Sequence, residues 1–469
     1  MTNLVAALGG FGPTTKLKSR TSGRPQNGFA LWALLILLAL APLPLASARP
    51  LLSALWATYA GLAALIFFVW QLRSNAALRI GLLDLKVPAA LVFLTLGALV
   101  FQLLPIGAVP IISMEGGDLI APQVSVAPGQ TLLMLARQLT YALVAILVLQ
   151  IGASERRRPF FLNALIVIVL IYAAYGLLAL RMGDTILGLP KWAYWGSITG
   201  SFVNRNSFAT FVGLGAVLSL AHLCALVRRQ AQRHRDDGLI TGLLSGMVLY
   251  GAAYLFALLI VIGTQSRMGL FATLAGSGVV ILATLVSIRR LGLILLVTPF
   301  AVGTIIGLFW LLGGGLLERI EWQGFGSDSR ILLYQQVIDL IALRPWTGFG
   351  GGSFEVAFPL VHQLPLTPDV TWNLAHNTYL ALWSELGLVA GSFLILAVAY
   401  VAFRLIKALI TGIGSWTAQI AALGVIFQVA IHATVDFSLE IPANTLMFVA
   451  IVATGLASTI EPMAQNGGR

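Results

Sequence analysis

The chain has 469 residues, 58% of them hydrophobic and 10% charged, with a mean hydropathy of +0.93. These values lie far outside the soluble globular range and exclude a fold that hides its apolar residues in one water-surrounded core. The net charge of +11 is spread over short loops between apolar runs instead of forming one basic patch, so no nucleic-acid partner is expected.

After a polar tail (1–28), apolar runs long enough to cross a hydrocarbon core of roughly 30 Å as helix recur along the chain. They fall at 29–47, 51–71, 87–106, 131–152, 160–180, 207–227, 242–263, 269–287, 291–312, 378–403, 415–432 and 445–460. Alternation at strand spacing is missing. The expected fold is therefore an all-α, polytopic transmembrane helical bundle of about twelve spans, a single domain over 29–460 closed by a second polar tail, 461–469. Ala46-Ser47-Ala48 offers a signal-peptidase-like site, but the run before it is long and is read as an uncleaved first span. When the loops are assigned alternately to two sides, most lysines and arginines fall with the termini. The positive-inside rule then places both termini in the cytoplasm. The single cysteine, Cys224, excludes an intrachain disulfide framework.

Cytoplasmic loops are short and leave no room for a nucleotide-binding module, so chemistry is expected on the outer face. The longest outer loop, 313–375, is too long for a mere connector. Within it "SDSRILLYQQVIDLIALRP" reads as one interfacial amphipathic helix, capped by Ser327 or Asp328 and stopped at Arg344-Pro345. Gln335, Gln336 and Asp339 cluster on one side. Arg330 falls on the other, with Tyr334, Val337 and Ile341. An arginine on an apolar helix face either snorkels to headgroups or points into a cavity. Arg267, flanked by Gly263 and Gly269 at the tip of a helical hairpin, and Arg205, beside Asn204, occupy similar outer positions. Lys191 alone represents lysine outside, whereas the guanidinium fork suits phosphate oxygens.

His376 and Asn377 stand where the long loop enters the next apolar run. Histidine there is either a hydrogen-bonded cap or a general base. Gly387 and Gly391, four apart, suggest close approach of another helix. His432 and Asp436, also four apart, could share a helical face as a second proton-handling site or a structural cap. Arg137 and Glu385, inside spans, are expected to pair and to hold the tenth span against the fourth. No His-x-x-x-His or cysteine pair accompanies these residues, and no metal site is expected.

"GSFVNRNSFATF" (200–211), "TQSRMG" (264–269), "SRILLYQQVIDLIALRPWTGFGGGSF" (329–354), "AHNTYLALWSELG" (375–387) and "HATVDFSLEIP" (432–442) follow one another in an order that resembles the O-antigen ligase and polymerase superfamily. The resemblance implies a metal- and cofactor-free membrane glycosyltransferase of the GT-C type, working at the periplasmic face of a bacterial inner membrane. Its donor would be a glycan on undecaprenyl pyrophosphate, and its acceptor the lipid A core or another glycan. By motif, the two arginines and the histidine of the ligases correspond to Arg267, Arg330 and His376. Arg205, Asn204, Asn377, Arg344, His432 and Asp436 are candidate substrate contacts. Ala390 departs from the ligase pattern and keeps polymerase activity open. The alternative is a membrane transporter or flippase for an anionic or lipid-linked substrate. It would call for ionisable groups near the midplane, whereas these collect at the outer rim.

Overall fold

A computed structural model describes residues 25–106, 109–112, 118–121, 123–232, 240–289 and 327–460. The helices, in order, are α1 (Pro25–Leu40), α2 (Pro50–Arg73), α3 (Lys86–Leu103), α4 (Pro128–Gly152), α5 (Arg157–Arg181), α6 (Arg205–Gln232), α7 (Ile240–Gly263), α8 (Arg267–Ser287), α9 (Ser327–Leu343), α10 (Thr378–Thr411), α11 (Trp416–His432) and α12 (Pro442–Ala457). Eight of them, α2 to α8 and α10, are long and apolar enough to cross a membrane, and α1, α11 and α12 are shorter apolar helices. The protein is thus all-α and polytopic. The expected span 291–312, the start of the long loop, most of the N-terminal tail and all of the C-terminal one lie outside the described residues.

Three departures from the expected run of helices are visible. The first helix stops at Leu40 instead of running to residue 47, because Leu45, Ala46 and Ser47 turn with positive φ. That turn is pinned by Trp56, whose indole N–H donates to Ser47 Oγ at 2.6 Å. The outer segment before α4 holds a short antiparallel hairpin, β1 (Val109–Ile112) with β2 (Asp118–Ala121). A smaller one, β3 (Thr185–Ile186) with β4 (Leu189–Pro190), follows α5.

The bundle is organised around α6. Most of its length is inside the protein, 83% of its membrane-length window being buried, as expected of a helix apolar on every side. It packs against α7, α8 and α11. Small residues set these distances: a Cβ on Gly276 of α8 would lie 2.6 Å from the Gly424 carbonyl of α11. Backbone touches backbone there, the arrangement small residues permit between membrane helices.

The expectation for Gly387 needs correcting. Gly387 breaks α10, with φ 80° and ψ 164°, and what approaches it is an irregular turn segment, 345–350, not a helix. Leu388 N donates to Pro345 O (2.8 Å), Gly350 N to Glu385 O (2.9 Å) and Phe349 N to Ser384 O (3.0 Å). Backbone groups freed by the break are therefore satisfied by 345–350, as a broken helix requires. A Cβ on Gly348 would meet the Glu385 carbonyl at 2.3 Å.

Arg137 and Glu385 form no ion pair, the only one among the described residues being Lys191–Asp184. Glu385 instead accepts from backbone amides, that of Phe354 at 3.4 Å and that of Gly352. Helix α3 packs against both α10 and α4, and the carboxylate is spent on tying down the glycine-rich turn after 350.

Candidate functional site

Helix α9 behaves as its periodicity predicts, but its apolar face is covered by protein. Leu333, Val337 and Leu340 are fully buried in a second core with Phe349, Phe358 and Ala375. Arg330, one turn before Tyr334 on the same side, is half-buried. Gln336, expected on the polar side, is buried and exchanges two hydrogen bonds with the Gln363 backbone. The helix is thereby a rigid shelf over the start of α10.

His376 lies under that shelf. Its φ of 51° is in the left-handed region, uncommon for a residue with a Cβ. The Tyr334 hydroxyl donates to its carbonyl at 2.9 Å. The imidazole meets the Phe437 ring edge-on, with centroids 5.0 Å apart, and Nδ1 is buried without a hydrogen-bond partner among the described residues. Burial pushes the imidazole below the usual histidine range, the Arg330 charge pushes the same way, and Asp436 opposes both. A neutral imidazole at neutral pH is the form a general base needs.

Asn377 caps α10: its Oδ1 accepts from Tyr379 N (3.0 Å) and Leu380 N (3.1 Å), and its Nδ2 donates to Thr434 O (2.8 Å). Thr378 adds a backbone bond to Ala433 O and a hydroxyl bond to Asp436 O. The start of α10 is thus stitched to the end of α11. Helix α11 ends at His432, so His432 and Asp436 do not share a helical face. Chain reversal after the helix brings Asp436 back beside the same network instead.

That network is buried and polar. His432 Nδ1 lies 2.5 Å from Thr210 Oγ1, which also donates to Ser438 Oγ at 3.0 Å. Ser438 Oγ donates to Asp436 Oδ2, and Asn206 Nδ2 to Asp436 Oδ1 at 3.3 Å. Ser266 Oγ donates to Asn206 Oδ1 at 2.8 Å and accepts from Gly269 N as the cap of α8. Asn206 and Ser266 are the immediate neighbours of Arg205 and Arg267, so the web fixes where α6 and α8 begin and where those arginines emerge. Arg267 is half-buried and makes no hydrogen bond or ion pair with the described residues.

Asn204 also caps: its Oδ1 accepts from Asn206 N (2.7 Å) and Ser207 N (3.2 Å), and its Nδ2 donates to the Tyr194 hydroxyl (3.0 Å). Arg205 stacks over the Tyr194 ring at 5.5 Å. Burial raises the Tyr194 hydroxyl above its ordinary pKa against the pull of Arg205 and Arg330, so Arg205, Arg330 and Asp436 all act on one ring. Lys191 is taken up structurally: buried, it bonds Asp184 (2.5 Å), Ser197 O (2.6 Å) and Tyr194 O (3.3 Å), holding the loop that presents Tyr194. Arg344 donates to Val124 O at 3.3 Å and lies over the Phe349 ring at 4.8 Å, bracing the segment inserted at the α10 break.

Beneath the network, Glu440 has a sealed Oε1 without a hydrogen-bond partner among the described residues. Burial pushes its carboxyl up to about 8, with Glu385 and Asp436 adding to the shift and Arg137 opposing it. Among the described residues no three His, Cys, Asp or Glu side chains gather as metal ligands do.

Asn206, Ser266, Thr210, Ser438 and Tyr194 were not singled out from sequence. Ser266 carried a legible signal, a serine immediately before an apolar helix. Tyr194, in an irregular loop, carried none.

Fold and site together define a polytopic helical membrane protein with arginines, a histidine and a carboxylate gathered around the ends of α6, α8, α10 and α11. Residues 252–395 match the family model described as O-antigen ligase, and that segment contains Arg267, Arg330 and His376. Over that segment the resemblance to the O-antigen ligase superfamily is borne out. No curated protein matches the chain.

Proposed function

We propose that the protein is a glycosyltransferase that moves a glycan from undecaprenyl pyrophosphate to an acceptor sugar at the periplasmic face of a bacterial inner membrane, as an O-antigen ligase or polysaccharide polymerase. The observation that carries this reading is the placement of a half-buried His376, its Nδ1 sealed and its pKa pushed down by burial and by Arg330, inside the O-antigen ligase match. His376 accepts the proton of the acceptor hydroxyl as its oxygen attacks the anomeric carbon. The bond from that carbon to the pyrophosphate oxygen breaks, and the pyrophosphate leaves with the electron pair. Arg267 and Arg330 neutralise the charge that grows on it, with Arg205 at the rim. A single displacement inverts configuration. Bond energy in the pyrophosphate linkage drives transfer, so the step needs no nucleotide.

The test is reconstitution of the full chain in proteoliposomes with a lipid-linked glycan and acceptor. Formation of glycosylated acceptor supports the reading, and His376→Ala should abolish it while protein level and donor binding persist. Movement of the glycan across the bilayer without transfer would establish the flippase alternative. Aggregation of His376→Ala in detergent would make His376 structural instead.

A further inference from the structure

In a base that works through one ring nitrogen, a carboxylate or carbonyl on the other nitrogen commonly sets the ring's orientation. At His376 that device is missing among the described residues: Nδ1 is buried and unpartnered. Orientation must come through the backbone, and the backbone is unusual. His376 is one of few non-glycine residues with positive φ, and it sits directly before Asn377, whose extended φ of −156° starts the cap of α10. A left-handed residue between the loop and a cap reverts to an ordinary conformation unless something holds it.

The Tyr334 hydroxyl is what holds it. It reaches 42 residues along the chain to the His376 carbonyl at 2.9 Å. Tyr334 lies one helical turn after Arg330, and Leu333 and Val337 beside it are fully buried, so the hydroxyl is presented by a packed shelf. Burial raises the Tyr334 pKa above its ordinary value, although Arg330 opposes this, and the group remains a donor across the working range. The Phe437 edge closes the other side of the imidazole.

We infer that Tyr334 is a positioning residue: by clamping the His376 carbonyl it holds the imidazole at the acceptor hydroxyl and fixes its distance from the Arg330 guanidinium. The inference rests on the reading of His376 as base. It makes α9 a single part carrying both the cation for the leaving group and the clamp for the base, so the two move together.

The experiment is steady-state transfer by reconstituted Tyr334→Phe, which keeps the ring and loses only the hydroxyl. One neutral hydrogen bond corresponds to a factor of roughly 3 to 10, so kcat should fall about 3- to 10-fold with the KM for the lipid-linked donor unchanged and the thermal midpoint in detergent close to that of the parent. In a His376→Gln background the same change should have no further effect on residual transfer. Unchanged kcat in Tyr334→Phe, a KM effect alone, or a loss matched by a lowered thermal midpoint would overturn the inference. If His376→Gln itself transfers normally, the reading of His376 as base fails, and that result is separate from anything Tyr334→Phe shows.

Discussion

Helix α8 begins with Arg267 and crosses α11 where two glycines meet, so the seat of a site arginine depends on one contact. The perturbation is Gly276→Ala, compared with Gly278→Ala on the same helix. A methyl at 276 would lie 2.6 Å from the Gly424 carbonyl oxygen and 2.9 Å from Gln428 Cβ, whereas one at 278 meets nothing within 4 Å. Ordinary contact begins near 3.4 Å, and the near atom is backbone, so the helices must part by about 0.8 Å, in a close-packed interior that resists it. Overpacking of this kind costs about 1–3 kcal/mol. The intrinsic helix gain from glycine to alanine, about 1 kcal/mol, applies equally at both positions and cancels in the comparison. The difference between the variants should therefore be about 1–3 kcal/mol. The assay is the apparent thermal midpoint in detergent at one scan rate, because unfolding of such proteins is a rate-governed quantity. Gly276→Ala should melt below Gly278→Ala, and its transfer rate should fall because the start of α8 shifts against the Asn206–Asp436 web. Equal midpoints would refute the claim that backbone contact at Gly276 sets the spacing of α8 and α11.

Arg267→Lys and Arg330→Lys keep the charge and lose the fork; each should lose most transfer, and the double variant less than the sum, since both act on one leaving group. The acid limb of the pH–rate profile should lie below the ordinary histidine range. Arg330→Gln removes a charge that holds the His376 pKa down, so whatever transfer it retains should show that limb at higher pH; an unmoved limb would mean that His376 does not titrate in the rate. His432→Ala should reduce transfer less than His376→Ala, because its Nδ1 is engaged with Thr210; equal losses would place His432 in the chemistry. Glu440 binds its proton more tightly folded, near 8, than in the unfolded chain, near 4.5. The stability it contributes is whole below pH 4.5 and is lost as pH rises through 8. The thermal midpoint should fall over that window, and Glu440→Gln should flatten the fall.

Span positions were legible because the bilayer imposes one simple demand: about twenty apolar residues in a row, readable without knowing what any residue touches. Every expected span within the described residues overlaps a helix, although the first ends at Leu40 instead of residue 47. The facing of α9 was legible for a related reason, since Arg330, Tyr334, Val337 and Ile341 share a side at 3.6 residues per turn whatever covers them. The occupants of those faces were not legible. Periodicity could not say that the apolar side of α9 rests on protein, or that Gly387 opens its helix to the irregular segment 345–350. Nor could it say that Glu385 takes backbone amides in preference to Arg137. Each of these depends on which distant backbone groups are left unsatisfied in the folded chain, and a hydrogen bond across 42 or 230 residues leaves no mark on local sequence. The individual side chains of the site were thus visible as types, while their roles as cap, clamp, base or anchor were decided by tertiary neighbours. Asn377 and His376 illustrate the division: adjacent in the chain and equally polar, one is consumed by capping α10 and the other is held in a left-handed conformation with a ring nitrogen unpartnered, because Tyr334 arrives from above and Thr434 from beside.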